Sequence, residues 1–155
     1  MCSSDLIGGT LTNGQVFVRF THNPRNQQQD RVLRMRATDT SLSLNRVVVI
    51  TSRATASAAE LVINGLRPFM PVVVIGDRTY GKPVGQYPIA FCDQVFAPVA
   101  FASTNVEGVG GYFSGLDVTC ATVDDVTHEI GDPAEASLRE ALAFVHSGRC
   151  GGAAN

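Results

Sequence analysis

The chain has 155 residues, 45% of them hydrophobic and only 17% charged, with a net charge of −2 at pH 7 and a pI near 5.8. That length fits one domain with a sizeable core, and the weakly acidic balance argues against a general electrostatic attraction to nucleic acid or anionic membrane. No apolar run reaches the roughly eighteen residues that a membrane-spanning helix needs.

In chain order, Met1-Cys-Ser-Ser-Asp-Leu6 has neither the basic start nor the apolar stretch of a signal peptide. It reads as a non-native scar, of the kind a sequencing adaptor encodes, on a truncated frame. The domain is then expected over residues 7–150, incomplete at its N-terminus, with a disordered tail over 151–155. Gln15 to Phe20 alternates as a strand does, and a polar loop follows from Thr21 to Asp30. Arg31, Arg34 and Arg36 alternate with Val32, Leu33 and Met35, the pattern of an exposed strand or turn flank rather than a phosphate track. Arg46-Val-Val-Val-Ile-Thr51 is β-branched and apolar on both faces, which predicts a central buried strand.

Ser57 to Arg67 places Ala58, Leu61, Val62, Gly65 and Leu66 at helical spacing, and Pro68 ends the helix. Pro71-Val-Val-Val-Ile-Gly76 is a second buried strand, so the segment is a βαβ unit and the sheet is parallel or mixed. After a glycine-bearing loop, strands are expected around Gln86–Phe91 and Gln94–Ser103, and Gly108 to Gly115 is loop. The last helix is predicted with Asp132 as N-cap, Pro133 at its first position and Glu135 completing a capping box. Leu138, Ala141, Leu142 and Val145 form its apolar stripe, and Gly148 closes it.

Cys92, Cys120 and Cys150 fit no zinc spacing, and His22, His128 and His146 are scattered, so neither metal nor cofactor is expected. Cys92 pairs with Cys120 in an oxidising compartment, or the thiols stay separate; composition leaves both open.

Two features carry chemistry. Ser57 stands at a helix start, where free backbone N–H groups favour negative charge and suit a tetrahedral oxyanion, with the Ala58 amide as the natural donor. Ser57-x-x-Glu60 is equally a capping box, and most such serines only cap. Lys82 is the only lysine beside eleven arginines. An arginine cannot serve as a base at neutral pH, so this one position suggests a need for a titratable amine. Gly76-Asp-Arg-Thr-Tyr-Gly-Lys82 also matches a phosphate-loop pattern, but Pro83 stands where Ser or Thr must reach magnesium, and no helix begins there. Nucleotide binding is therefore disfavoured.

Thr55-Ala-Ser57-Ala-Ala-Glu60 followed by Gly76-Asp-Arg-Thr-Tyr-Gly-Lys82-Pro resembles the paired signature of the C-terminal processing (tail-specific) proteases, including the spacing of 25 positions between Ser57 and Lys82. The resemblance spans roughly residues 10 to 150, and Asn105-x-x-Gly108 and Gly131-Asp-Pro-Ala-Glu135 extend it towards a bacterial branch. It implies an α/β, crotonase-like or ClpP-like spiral of ββα units and a serine peptidase with a Ser57–Lys82 dyad. Gln86 would orient the lysine, while Glu60 would cap and support. It implies a polypeptide substrate, a bacterial envelope or periplasmic location, and an upstream region with a PDZ-type domain. The family's second oxyanion donor lies in a Gly-containing segment separated by a helix from the strand matching residues 15–20. Gly8-Gly9 leaves no room for that helix, so this donor is expected to be missing. The alternative is a non-catalytic relative that binds peptide in the same groove.

Overall fold

The computed structural model describes residues 3–152; Cys2 and the last three residues of the expected tail lie outside the described residues. Helix α1, Ser3–Thr12, precedes strand β1, Val16–His22. Residues 3–6 belong to that helix and are tied in: Leu42 N donates to Leu6 O at 2.7 Å and Arg36 N to Asp5 Oδ1 at 2.8 Å. A 3-10 turn over Pro24–Gln29, capped by the Asn23 side chain, reverses the chain into β2, Arg31–Arg34. All four β2 residues are exposed, as the alternating arginines suggested.

Two sheets share one helix. The first is antiparallel, in the order β2-β1-β8-β5, with β5 at Val84–Gln86 and β8 at Val99–Thr104. The second is parallel, in the order β3-β4-β9, with β3 at Val47–Thr51, β4 at Val72–Gly76 and β9 at Cys120–Ala121. Helix α2, Ala58–Leu66, fills the space between them. Its Leu66 joins Phe17 and Val18 of β1 in one core, and its Ile63 joins Val74 and Leu116 in another. Gly65 permits the close approach to β1, since a Cβ there would lie 2.4 Å from the Phe17 ring. On the opposite face of the parallel sheet, Val73 and Ile75 pack against Ala141 of helix α3, Ala136–Ser147. Successive β4 residues thus point to two helices, which explains its unbroken valine run.

Several expectations change. β3 is an edge strand, half-buried, with Ile50 45% exposed; β4 is the central one. Apolar residues on both faces report helices above and below, whereas strand order depends on which backbone edges are paired. The stretch from Gln86 to Ser103 divides at Pro88 and Pro98, which cannot donate to a ladder. Between them β6, Ile89–Phe91, and β7, Gln94–Phe96, form a separate two-stranded hairpin. Helix α3 begins three residues later than predicted. Glu135 is its N-cap, accepting from Ser137 N at 2.9 Å and Leu138 N at 2.7 Å, while Asp132 closes a preceding turn onto Ala134 N. Its sheet-facing residues are Ser137, Ala141 and Phe144, and Leu142 and Val145 are exposed. Gly148 closes the helix at φ 70° as expected.

The disulfide joins Cys120 to Cys150, with Cα atoms 5.5 Å apart, and Cys92 is a free, exposed thiol. Cys92 occupies the β6–β7 turn, outside the core. The left-handed Gly148 turns the chain back at the end of α3 and brings Cys150 onto β9, within bridging distance. Gly151 N then donates to Glu140 Oε1 at 2.7 Å.

Candidate active site

β3 ends at Thr51, and the loop that follows is stitched by Ser52 N to Thr55 Oγ1 and Thr55 N to Ser52 O, both at 3.0 Å. The loop delivers Ser57 to the start of α2 with φ 55° and ψ −114°, a conformation that non-glycine residues seldom adopt. Such a backbone costs on the order of 1–3 kcal/mol and persists only where neighbours enforce it. Here Leu61 N donates to Ser57 O at 2.9 Å, and Ser57 N donates to Glu60 Oε2 at 2.8 Å. Ala58 opens the helix, so its N–H has no partner one turn back.

Glu60 is wholly buried. Its carboxylate accepts four hydrogen bonds. Oε1 takes the Thr79 hydroxyl at 2.5 Å and Gly81 N at 2.7 Å; Oε2 takes Ser57 N and Lys82 N, each at 2.8 Å. The capping-box bond expected from the sequence is therefore one of four in a larger clamp, which fastens the Thr79–Lys82 loop to the helix start. Buried carboxylates are tolerated when every lone pair is met in this way. Tyr80 N to Thr55 O, at 2.8 Å, adds a second tie between the loops. Gly81 and Gly115 let the Thr79–Lys82 loop lie backbone to backbone against residues 113–115. A Cβ on Gly81 would meet Phe113 O at 2.4 Å, and one on Gly115 would meet Thr79 O at 2.1 Å.

Beyond the clamp, Lys82 Nζ donates to Gln86 Oε1 at 2.8 Å, and the Gln86 amide donates to Ala97 O at 2.5 Å. That second bond sets which end of the amide faces the lysine. Pro83 enters strand β5 rather than a helix, so the phosphate-loop pattern lacks its anion-binding element. Ser57, Ala58 and Lys82 line one small cavity of about 90 Å³, walled by Phe20, Leu61 and Phe101. A hydroxyl, an amine and a helix start beside an apolar recess are the parts that acyl transfer uses. Gly8 and Gly9 pack in α1 against Ser43 and Thr12 and are not among the residues lining the cavity.

The larger hollows, of about 950 and 640 Å³, lie at the carboxyl ends of the parallel strands and contain neither Ser57 nor Lys82. Their polar groups largely satisfy one another: Arg53 pairs with Asp77 at 2.7 Å, Arg78 with Asp117 at 2.5 Å, and His128 Nδ1 lies 2.8 Å from Asp125 Oδ2. The Tyr112 hydroxyl is enclosed, and burial raises its pKa; the nearby Ser103 side chain opposes the effect and the Glu60 carboxylate adds to it. Among the described residues, Cys120, Glu140 and Cys150 have ligand atoms close enough to share a metal ion, but the disulfide consumes both thiols. No helix among the described residues is long and apolar enough to cross a membrane.

Sequence reasoning missed Thr79, Gly81, Phe20 and Phe101. The two glycines of the Gly76–Lys82 stretch were a signal for a close backbone approach, though not for what approaches.

Residues 4–105 match the family model of peptidase family S41. No curated protein matches the chain. Among solved structures, a Bacteroides fragilis protein described as an S41 protease superposes with a TM-score of 0.84 at 24% identity, over 95% of this chain and 40% of its own. A lipoprotein from Streptococcus agalactiae gives 0.61 at 14% identity, over 88% of this chain and 46% of its own. The photosystem II D1 C-terminal processing protease gives 0.56 at 22% identity, over 77% of this chain and 29% of its own. The chain thus spans less than half the length of each, and the likeness is one of fold: a mixed α/β architecture with parallel and antiparallel sheets.

Proposed function

The chain belongs to peptidase family S41, and on that premise we propose that it carries the reacting groups of a serine endopeptidase, with Ser57 as nucleophile and Lys82 as general base. The observation that supports this most is the shared anchor: one buried carboxylate oxygen accepts the backbone N–H of both residues at 2.8 Å, and both line one cavity.

In this reading the unprotonated Lys82 amine takes the Ser57 hydroxyl proton as Oγ attacks the peptide carbonyl. The Ala58 N–H donates to the oxyanion, helped by the positive end of α2. Lys82 then returns the proton to the departing amine, and water attacks the acyl-enzyme by the same route. Gln86 holds the amine through its Oε1, and Glu60 positions both backbones without transferring a proton. The substrate is a polypeptide with an apolar side chain in the recess. The whole protein includes further sequence, with a PDZ-type domain among it, and works in the bacterial envelope or periplasm, where the Cys120–Cys150 bridge would persist.

The test is labelling by a serine-reactive fluorophosphonate in the full-length protein. Ser57→Ala should abolish it, and Lys82→Ala and Lys82→Arg should each slow it by about 100- to 10,000-fold, the usual contribution of a general base. Labelling that persists in Ser57→Ala would overturn the assignment. A wild type that binds peptide but is never labelled would favour the non-catalytic relative.

A further inference from the structure

A second polar constellation lies on the antiparallel sheet, behind the wall of the Ser57–Lys82 cavity. His22 ends β1 with its side chain only 2% exposed, and both ring nitrogens are engaged. Nδ1 lies 3.1 Å from Asp30 Oδ1, which also accepts the His22 backbone N–H at 2.7 Å; Nε2 lies 3.1 Å from the Tyr87 hydroxyl. A carboxylate only accepts, so in the neutral ring Nδ1 carries the proton and Nε2 accepts from Tyr87. The result is a directional chain from Tyr87 through His22 to Asp30.

What this chain holds is Phe101. In the β1–β8 register His22 stands directly opposite Phe101, and in the β5–β8 register Gly85 does. The Phe101 ring is tilted against His22 at 5.5 Å, Tyr87 at 5.4 Å and Phe20 at 4.6 Å, while Tyr87 stacks on His22 at 5.9 Å. Gly85 provides the floor, because a Cβ there would lie 1.9 Å from the ring. Phe101 is therefore bounded by three rings and the Gly85 backbone. It is also part of the wall of the cavity that contains Ser57 and Lys82.

We propose that the Asp30–His22–Tyr87 chain is a positioning device for Phe101, and through it sets the size of the side chain admitted beside the scissile bond. The proposal rests on the reading of Ser57 as nucleophile, since only then is the cavity a substrate subsite. Burying a histidine between two polar partners costs desolvation that an apolar residue would avoid, and packing alone would not require it. A hydrogen-bonded ring, unlike a leucine, has a single orientation, and the face it offers to Phe101 is fixed with it.

The test compares kcat/KM in the full-length protein for two peptides that differ only by Ala or Leu before the scissile bond. Tyr87→Phe keeps the ring and removes the hydroxyl; Asp30→Asn removes the charge at the other end. Both positions are solvent-exposed, so the fold should survive, as thermal melting would verify. Each is expected to change the Ala-to-Leu ratio by about threefold to tenfold, below the roughly 10- to 200-fold that a whole methylene contributes in a pocket, because the wall is shifted and not removed. Phe101→Ala should change it more. A ratio within twofold of wild type in both Tyr87→Phe and Asp30→Asn, with Phe101→Ala still altering it, would overturn the proposal and leave the dyad standing. A wild type that neither cleaves nor is labelled at Ser57 would remove the reading on which it rests.

Discussion

The ring of Phe101 occupies the volume that a side chain at Gly85 would need, with Cζ 1.9 Å from the position of an added Cβ. Gly85→Ala should therefore push the ring towards Ser57 and shrink the recess. The expected cost is about 1–3 kcal/mol of stability from overpacking. Cleavage of peptides with larger side chains should be lost first. Urea unfolding and a peptide series check both; an unchanged series would mean that Phe101 is not the wall.

Glu60→Gln removes one acceptor oxygen and turns an NH2 group towards two donors. The loss should be about 2–4 kcal/mol, since buried N–H groups are left facing no acceptor. Fluorophosphonate labelling should fall with it. A variant as stable as wild type would show that the clamp contributes little.

At Ser57 the backbone conformation suits glycine and strains anything larger. Ser57→Gly should therefore be inactive yet more stable than Ser57→Ala by about 1 kcal/mol. In a chain of this size that is a shift of about 2–4 °C in Tm. Equal Tm values for the two variants would show that the strain is relaxed in solution.

The Cys120–Cys150 bridge closes a loop with a sequence separation of 30. Cys150→Ser should lower stability by about 2–4 kcal/mol, as should reduction of the wild type. Cys92→Ser, at an exposed turn, should stay within about 0.5 kcal/mol. If the two variants behaved alike under urea, the pairing would be wrong.

The turn around Asp125 should depend on pH. Hydrogen bonds from the Thr127 hydroxyl and then its backbone N–H lower the Asp125 pKa from 3.8 to about 2. A depressed carboxyl stabilises the folded turn above its unfolded pKa, and that stabilisation disappears as pH falls through the folded value. The Thr127 amide resonance should therefore titrate near pH 2. A midpoint near pH 4 would show that the bonds are not kept in solution.

Local pattern was enough to find α2 and β4, and to single out Ser57, Ala58 and Lys82, which line one cavity, because each lies in a short stretch whose periodicity or spacing is self-contained. It failed where the answer depends on distant chain. The Ser57–Glu60 pair looks complete as a capping box, so nothing local shows that Glu60 also binds Thr79, Gly81 and Lys82. Cys150 finds Cys120 only because Gly148 reverses the chain over β9. Asp132 and Glu135 both offer capping chemistry, and the winner is decided by where Ala141 must sit on the parallel sheet. His22 looked like one of three scattered histidines until β1 and β8 came into register.

Because a single carboxylate holds both backbone segments, the spacing of the Ser57 and Lys82 amides is set directly through Glu60 and not only through the two sheets. An attachment with three carbons between α2 and the carboxylate oxygens is shorter than any path through the strands.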